Sequence, residues 1–86
     1  MEGVTKEDLE LNDSIVDIAI KLREMRESAG LTQKEAASLY GCTVQMISKL
    51  ESGDYNPTIT TLWKYARKLG YRLSVRFVSN DDANAG

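Results

Sequence analysis

Histidine is absent from this chain, and cysteine and proline occur once each. Without histidine, the side chain that most often serves as a general base near neutral pH and as a metal ligand is missing. No nucleophile–base pair stands out among the remaining residues, so neither an enzyme, a metal site nor a cofactor is expected. The lone Cys42 cannot close an intrachain disulfide, and a chain with no disulfide framework suits a reducing cytoplasm. As a thiol without a nearby base, Cys42 reads as a small apolar filler. No run of 18 apolar residues occurs, which argues against a membrane span. Glu2, Glu7, Asp8 and Glu10 interrupt each apolar run near the N-terminus, so no signal-peptide pattern is present.

Charge is unevenly distributed. Residues 1–20 carry one base, Lys6, against six acids, Glu2, Glu7, Asp8, Glu10, Asp13 and Asp17, a net of −5. Residues 21–78 carry ten bases against five acids, a net of +5, and Asp81 and Asp82 bring the whole to −2. A basic middle suits contact with phosphates, and an acidic end suits a second, basic partner.

The most informative stretch is Leu31-Thr-Gln-Lys-Glu-Ala-Ala-Ser-Leu-Tyr-Gly-Cys-Thr-Val-Gln-Met-Ile-Ser-Lys-Leu-Glu-Ser-Gly53. Thr32 and Glu35 have capping-box spacing at a helix start. Gly41 supplies a left-handed helix end, and Thr43 caps the next helix. Two short helices joined around a glycine match a helix-turn-helix, whose second helix enters the DNA major groove. Upstream, Ile15, Ile18, Leu22, Met25 and Ala29 form one face of a helix over 13–29; residues 1–12 are expected as an acidic arm or a short helix. Helices are expected over 33–40 and 44–52. A further helix, capped by Thr58 and ending at Gly70, has Ile59, Leu62, Ala66 and Leu69 as its face and Tyr65 at its edge.

After Gly70 the period changes. Tyr71, Leu73, Val75 and Phe77 alternate with Arg72, Ser74 and Arg76, a strand pattern over 71–78. No second strand candidate exists, and a lone strand leaves its backbone groups unpaired. The expectation is therefore a dimer in which this strand pairs with a second copy across a two-fold axis. Residues 79–86 are small, polar and acidic, a composition expected to be disordered.

Leu31-Thr-Gln, Ala37, Gly41, Ile47-Ser48, Leu50-Glu51, Gly53, Asn56-Pro57 and Leu62, Ala66, Leu69-Gly70 together resemble the XRE, or phage-repressor-like, helix-turn-helix family. The resemblance implies an all-α fold of four to five helices like that of lambda repressor, here followed by the dimerisation strand. A short, slightly acidic chain with a strand directly after the fourth helix is most similar to antitoxins of the HigA and HipB type. Such proteins repress their own operon in the bacterial cytoplasm, on the nucleoid when bound, and neutralise a RelE/HigB-type or HipA-type toxin.

Carried over residue by residue, the resemblance places Val44, Gln45 and Lys49 at base edges, with Ser48 at the groove wall. The chemistry suits this: glutamine pairs with adenine, lysine donates to guanine and valine meets a thymine methyl. Gln33 and Thr32 match the phosphate-anchoring helix start, and Ser52, Tyr55, Asn56 and Thr58 are placed near neighbouring phosphates. Arg26 and Glu51 match a structural ion pair. Ala36 and Tyr40 depart from the family's usual larger aliphatic and leucine, so Tyr40 or Trp63 is expected to fill that space; Trp63 is alternatively a dimer or toxin contact. The expected partners are a palindromic double-stranded operator, a second copy, and a toxin held by Glu7, Asp8, Leu9, Glu10 and Leu11. The alternative is a stand-alone phage or operon repressor with no toxin.

Overall fold

The structure, a computed structural model, describes residues 3–80. Four helices follow in order: α1 (Lys6–Ser28), α2 (Gln33–Tyr40), α3 (Val44–Leu50) and α4 (Ile59–Lys68). Asp81 and Asp82, and most of the tail expected to be disordered, lie outside the described residues, as does Glu2.

Each helix starts on a threonine whose hydroxyl accepts a backbone N–H three residues on: Thr5, Thr32, Thr43 and Thr58. Such a cap satisfies a donor that the helix itself leaves unpaired, worth about 1 kcal/mol. Thr5 corrects the expected organisation of the N-terminus. Its hydroxyl accepts from the Asp8 N–H at 3.1 Å, and the Asp8 carboxylate accepts from the Thr5 N–H at 3.0 Å. This second capping box starts α1 at Lys6, so one continuous helix runs through the boundary expected near residue 13, in place of an arm and a separate helix.

The core gathers Leu22, Ala36, Ala37, Ile47, Leu50, Leu62, Tyr65 and Leu69, with Ile18, Met25 and Leu73 packed against it. On α1 the buried residues are Ala19, Leu22 and Arg26, and Ala29 is exposed although it continues the apolar spacing. On α4 the expected face is rotated. Ile59 is 63% exposed whereas Tyr65 is fully buried, so the inward stripe is Leu62, Tyr65, Ala66 and Leu69. Tyr65 shares the core cluster with the small Ala36 of α2, and Tyr40 packs against that cluster. The Tyr40 and Tyr65 rings meet edge to face at 5.4 Å, a favoured arrangement of their quadrupoles. Trp63 instead faces outward, with the Arg67 guanidinium 4.9 Å from its ring centre.

Two glycines hold backbone shapes that other residues adopt at a cost. Gly41, at φ +88°, turns the chain between α2 and α3. Gly53, at φ +82°, is buried beneath α1, where an added Cβ would stand 3.3 Å from Val16 Cγ2. That close approach seats α1 on the loop after α3.

The strand expected over 71–78 is not formed within the single chain: residues 71–79 have no helix or strand assignment. The Tyr71 N–H closes α4 on the Ala66 carbonyl at 2.8 Å, and Leu73 packs on the core. Beyond it Val75, Phe77 and Val78 are 58, 97 and 69% exposed. The physical reason is the one the alternation raised: a strand is completed by a neighbouring ladder, and no other strand is present among the described residues.

Candidate nucleic-acid interface

The outward face of α3 follows from its inward one. Ile47 and Leu50 are buried to 0 and 1% exposure, which on a 3.6-residue period turns Val44, Gln45, Ser48 and Lys49 to the opposite side. All four are exposed. The Thr43 cap on the Met46 N–H, at 3.1 Å, sets where this face begins. Lys49 Nζ lies 5.9 Å from the centre of the Tyr55 ring, and the two side chains border a shallow concavity of about 330 Å³ completed by Ser48, Ser52 and Asp54. No local pattern signals this pairing, which depends on how the loop after α3 folds back.

Behind this face lies a buried charge network. Arg26 donates through Nε to Glu51 Oε2 at 2.7 Å and through Nη2 to Glu51 Oε1 at 3.0 Å. Its Nη1 donates to the Leu31 carbonyl at 2.8 Å. The two side chains are 10 and 4% exposed. The Glu51 hydrogen bond raises the guanidinium pKa further above its ordinary value, against the opposing effect of burial. The pair thus ties α1 to the end of α3 and to the entry of α2.

Gln33 joins the same network, which the sequence did not reveal. Its Nε2 donates to Glu51 Oε1 at 3.2 Å. An amide nitrogen carries two hydrogens, so this contact leaves one for an external acceptor at the start of α2. Thr32 beside it caps α2 through the Glu35 N–H at 3.1 Å, while its own N–H donates to the Glu35 carboxylate at 2.9 Å. These bonds hold the Glu35 carboxyl below the usual carboxylate range.

The remaining phosphate candidates separate into two kinds. Ser52 spends its hydroxyl hydrogen on the Lys49 carbonyl at 2.8 Å and accepts from the Asp54 N–H at 3.1 Å. Thr58 caps α4 through the Thr61 N–H at 3.1 Å and bonds the Thr61 hydroxyl at 3.0 Å. Both therefore hold the loop in shape. Asn56 is exposed and Tyr55 half-buried along the same edge. Cys42 sits partly buried in the turn before α3, and burial pushes its thiol pKa up, as expected of a filler and not of a nucleophile.

At the far end of α1, Glu7, Asp8, Leu9, Glu10 and Leu11 are all exposed. They do not form one patch. Leu9 and Leu11, two residues apart on a helix, point to nearly opposite sides. Leu11 continues the core stripe of Ile15, Ile18 and Leu22 past the edge of the domain. Leu9 instead aligns with Val16 and Ile20, a second apolar stripe that is 56, 37 and 51% exposed. No helix among the described residues is long and apolar enough to cross a membrane, and no group of side chains there is placed to hold a metal.

Residues 22–75, from the middle of α1 to the segment after α4, match the HTH_3 helix-turn-helix family model. The chain belongs to the helix-turn-helix family of transcriptional regulators. Within this family it is 36% identical over 62 residues to an HTH-type transcriptional regulator of Archaeoglobus fulgidus, spanning 72% of this chain and 89% of that protein. It is 30% identical over 82 residues to the putative antitoxin HigA2 of Mycobacterium tuberculosis, spanning 94% of this chain and 79% of the relative. Among solved structures it resembles a toxin–antitoxin module from Streptococcus pneumoniae, with TM-score 0.65 and 29% identity over 91% of this chain and 86% of that one. The regulator PuuR of Escherichia coli is 40% identical over 57 residues, but the match spans only 31% of that longer protein.

Proposed function

We propose that this helix-turn-helix protein is a sequence-specific operator-binding repressor, active as a dimer through residues 71–78 and serving as the antitoxin of a toxin–antitoxin pair. The observation that carries the DNA-reading part is the outward face of α3. Val44, Gln45, Ser48 and Lys49 project together, and no hydrogen bond among the described residues engages the Gln45 amide. A free amide offers a donor and an acceptor side by side, the pattern that adenine presents in the major groove. Gln33, with one hydrogen held by Glu51, directs the other to a phosphate, where the α2 N-terminus adds its own positive end. Thr32, Tyr55 and Asn56 flank this contact, and Ser52 and Thr58 support it by shaping the loop.

The antitoxin part rests on the likeness to HigA2 and to the streptococcal module over nearly the whole chain, and on the acidic, apolar-striped start of α1. A toxin that cleaves RNA needs a positive surface to hold its substrate, and carboxylates on an inhibitor complement such a surface. Leu9, with Val16 and Ile20, supplies the apolar anchor; Glu7, Asp8 and Glu10 supply charge, and Leu11 lies on the other flank. The alternative is a stand-alone repressor with no toxin partner; the Archaeoglobus relative is named only as a transcriptional regulator.

Two measurements test the proposal. Gln45→Ala is expected to cost about 1–3 kcal/mol on the operator and to relax specificity at one base pair, whereas Gln33→Ala weakens binding to all sequences alike and, because the amide is uncharged, leaves the salt dependence unchanged. Unchanged operator affinity in folded Gln45→Ala overturns the base-reading role. For the toxin, the product of the adjacent gene is captured with the parent chain and with a Glu7→Lys/Glu10→Lys variant. The variant is expected to lose affinity, most at low salt. Failure of the parent chain to bind leaves the plain repressor.

A further inference from the structure

Phe77 is 97% exposed in the single chain, and Val75 and Val78 beside it are 58 and 69% exposed. A short distance back along the chain, a groove of about 600 Å³ opens between α1, α4 and residues 71–76, with Ile18, Leu22, Met25, Ile59, Leu62 and Leu73 among its walls. An aromatic ring in water and an apolar groove without an occupant are complementary, and their positions allow them to meet between two copies.

We propose that this groove receives the Phe77 ring of a second copy, in an antiparallel pairing centred on Val75. The inference rests on the dimer reading above and specifies its register. Directly opposite residues of an antiparallel pair point to the same side. An axis passing between two residues would therefore set the apolar face of one strand on the polar face of the other, leaving axes through a residue. An axis at Ser74 sets Arg72 against the partner's Arg76, and an axis at Arg72 or Arg76 sets that residue against itself, like charges directly opposite being destabilising; an axis at Phe77 leaves Leu73 with no residue of 71–78 opposite it. An axis at Leu73 sets Phe77 against Leu69, which is already buried at the end of α4. At Val75 the charges separate: Arg76 faces Ser74 and Arg72 faces Val78. The same register brings the partner's Phe77 opposite Leu73, at a Cβ separation of about 5 Å. Leu73 is the residue of this segment that packs on the core and lines the groove. Each copy then donates one ring and receives one, as a two-fold interface requires.

The test uses the full chain with Cys42→Ser and single cysteines at 74, 75 or 76, oxidised with glutathione disulfide and followed by sedimentation. Val75→Cys is expected to cross-link with itself. Ser74→Cys and Arg76→Cys are expected to cross-link only when mixed with one another. Efficient self-cross-linking at 74 or 76 in place of 75 overturns the register while leaving the dimer in place. Phe77→Ala is expected to weaken dimerisation about 100-fold, with an unchanged melting temperature at concentrations where the parent is monomeric. Dimerisation at parental strength in Phe77→Ala overturns the groove as its receptor. A parent chain that stays monomeric at high micromolar concentration overturns both the dimer and this inference.

Discussion

The middle of the molecule and its two ends spend their apolar residues in opposite ways. From Leu31 to Leu69 the large aliphatic and aromatic side chains mostly turn inward, onto Ile47, Leu50 and Tyr65. In the first turns of α1 and after Leu73, the same residue types stand in water: Leu9 and Leu11 at one end, Val75, Phe77 and Val78 at the other. Solubility favours the first arrangement, so repeated exposure at both ends points to surfaces that are completed by other molecules. The middle is built to hold one face of α3 still. The ends present the apolar side chains that the proposed partners would cover.

The buried ion pair separates the middle from the ends most strongly. Glu51→Ala leaves the Arg26 guanidinium buried without its carboxylate and is expected to cost about 3–5 kcal/mol of folding stability. The measurement is urea denaturation at pH 7, and a loss below about 1 kcal/mol would place this pair outside the structural middle. Glu51→Ala also frees Gln33, so operator affinity is expected to fall under conditions in which the variant remains folded.

Tyr65 gives the next largest effect, with the opposite sign. Its hydroxyl is buried and has no hydrogen-bond partner among the described residues, so Tyr65→Phe is expected to stabilise the chain by about 1 kcal/mol. Burial, then the nearby Glu51 charge, pushes the Tyr65 pKa from 10.0 up to about 12. Between these values the unfolded chain has released this proton and the folded chain has kept it, so stability is lost as pH rises. The contribution is intact below pH 10 and falls away toward pH 12. Urea midpoints at pH 9 and pH 11 are expected to drop less in Tyr65→Phe than in the parent.

The smallest effect belongs to the ends. Leu9→Ala removes a side chain that is 56% exposed, and the change in stability is expected to stay within about 0.5 kcal/mol. A larger loss in thermal melting would mean that the start of α1 belongs to the structural middle and is not kept for a partner.

Legibility follows the same division. The helix-turn-helix was readable because its signals are local: Thr32 and Glu35 one turn apart, Gly41 at the turn, Thr43 at the next start. The Arg26–Glu51 pair was readable through the family resemblance, since nothing local connects two residues 25 positions apart. Thr5 and Asp8 have the same cap spacing as Thr32 and Glu35, and the start of α1 was legible there. The acidic composition of residues 1–12 suits an arm or a short helix as well as the first turns of α1, and the cap spacing is the one local signal that separates them. The rotation of α4 was not legible, because Ile59 and Tyr65 are both compatible with a helix's apolar face and the choice depends on Ala36 and Tyr40 in another helix.

The starts of α2, α3 and α4 and the side chains that α3 turns outward follow from the sequence alone, because caps, glycines and the 3.6-residue period act within a few residues of themselves. Packing between distant segments decided that Gln33 shares Glu51 with Arg26 and that Lys49 lies by Tyr55. It also decided that the alternating segment after Gly70 forms no strand alone. Each of these depends on groups distant in the chain coming within a few ångströms, and for the last the missing ladder belongs to a chain outside the single fold.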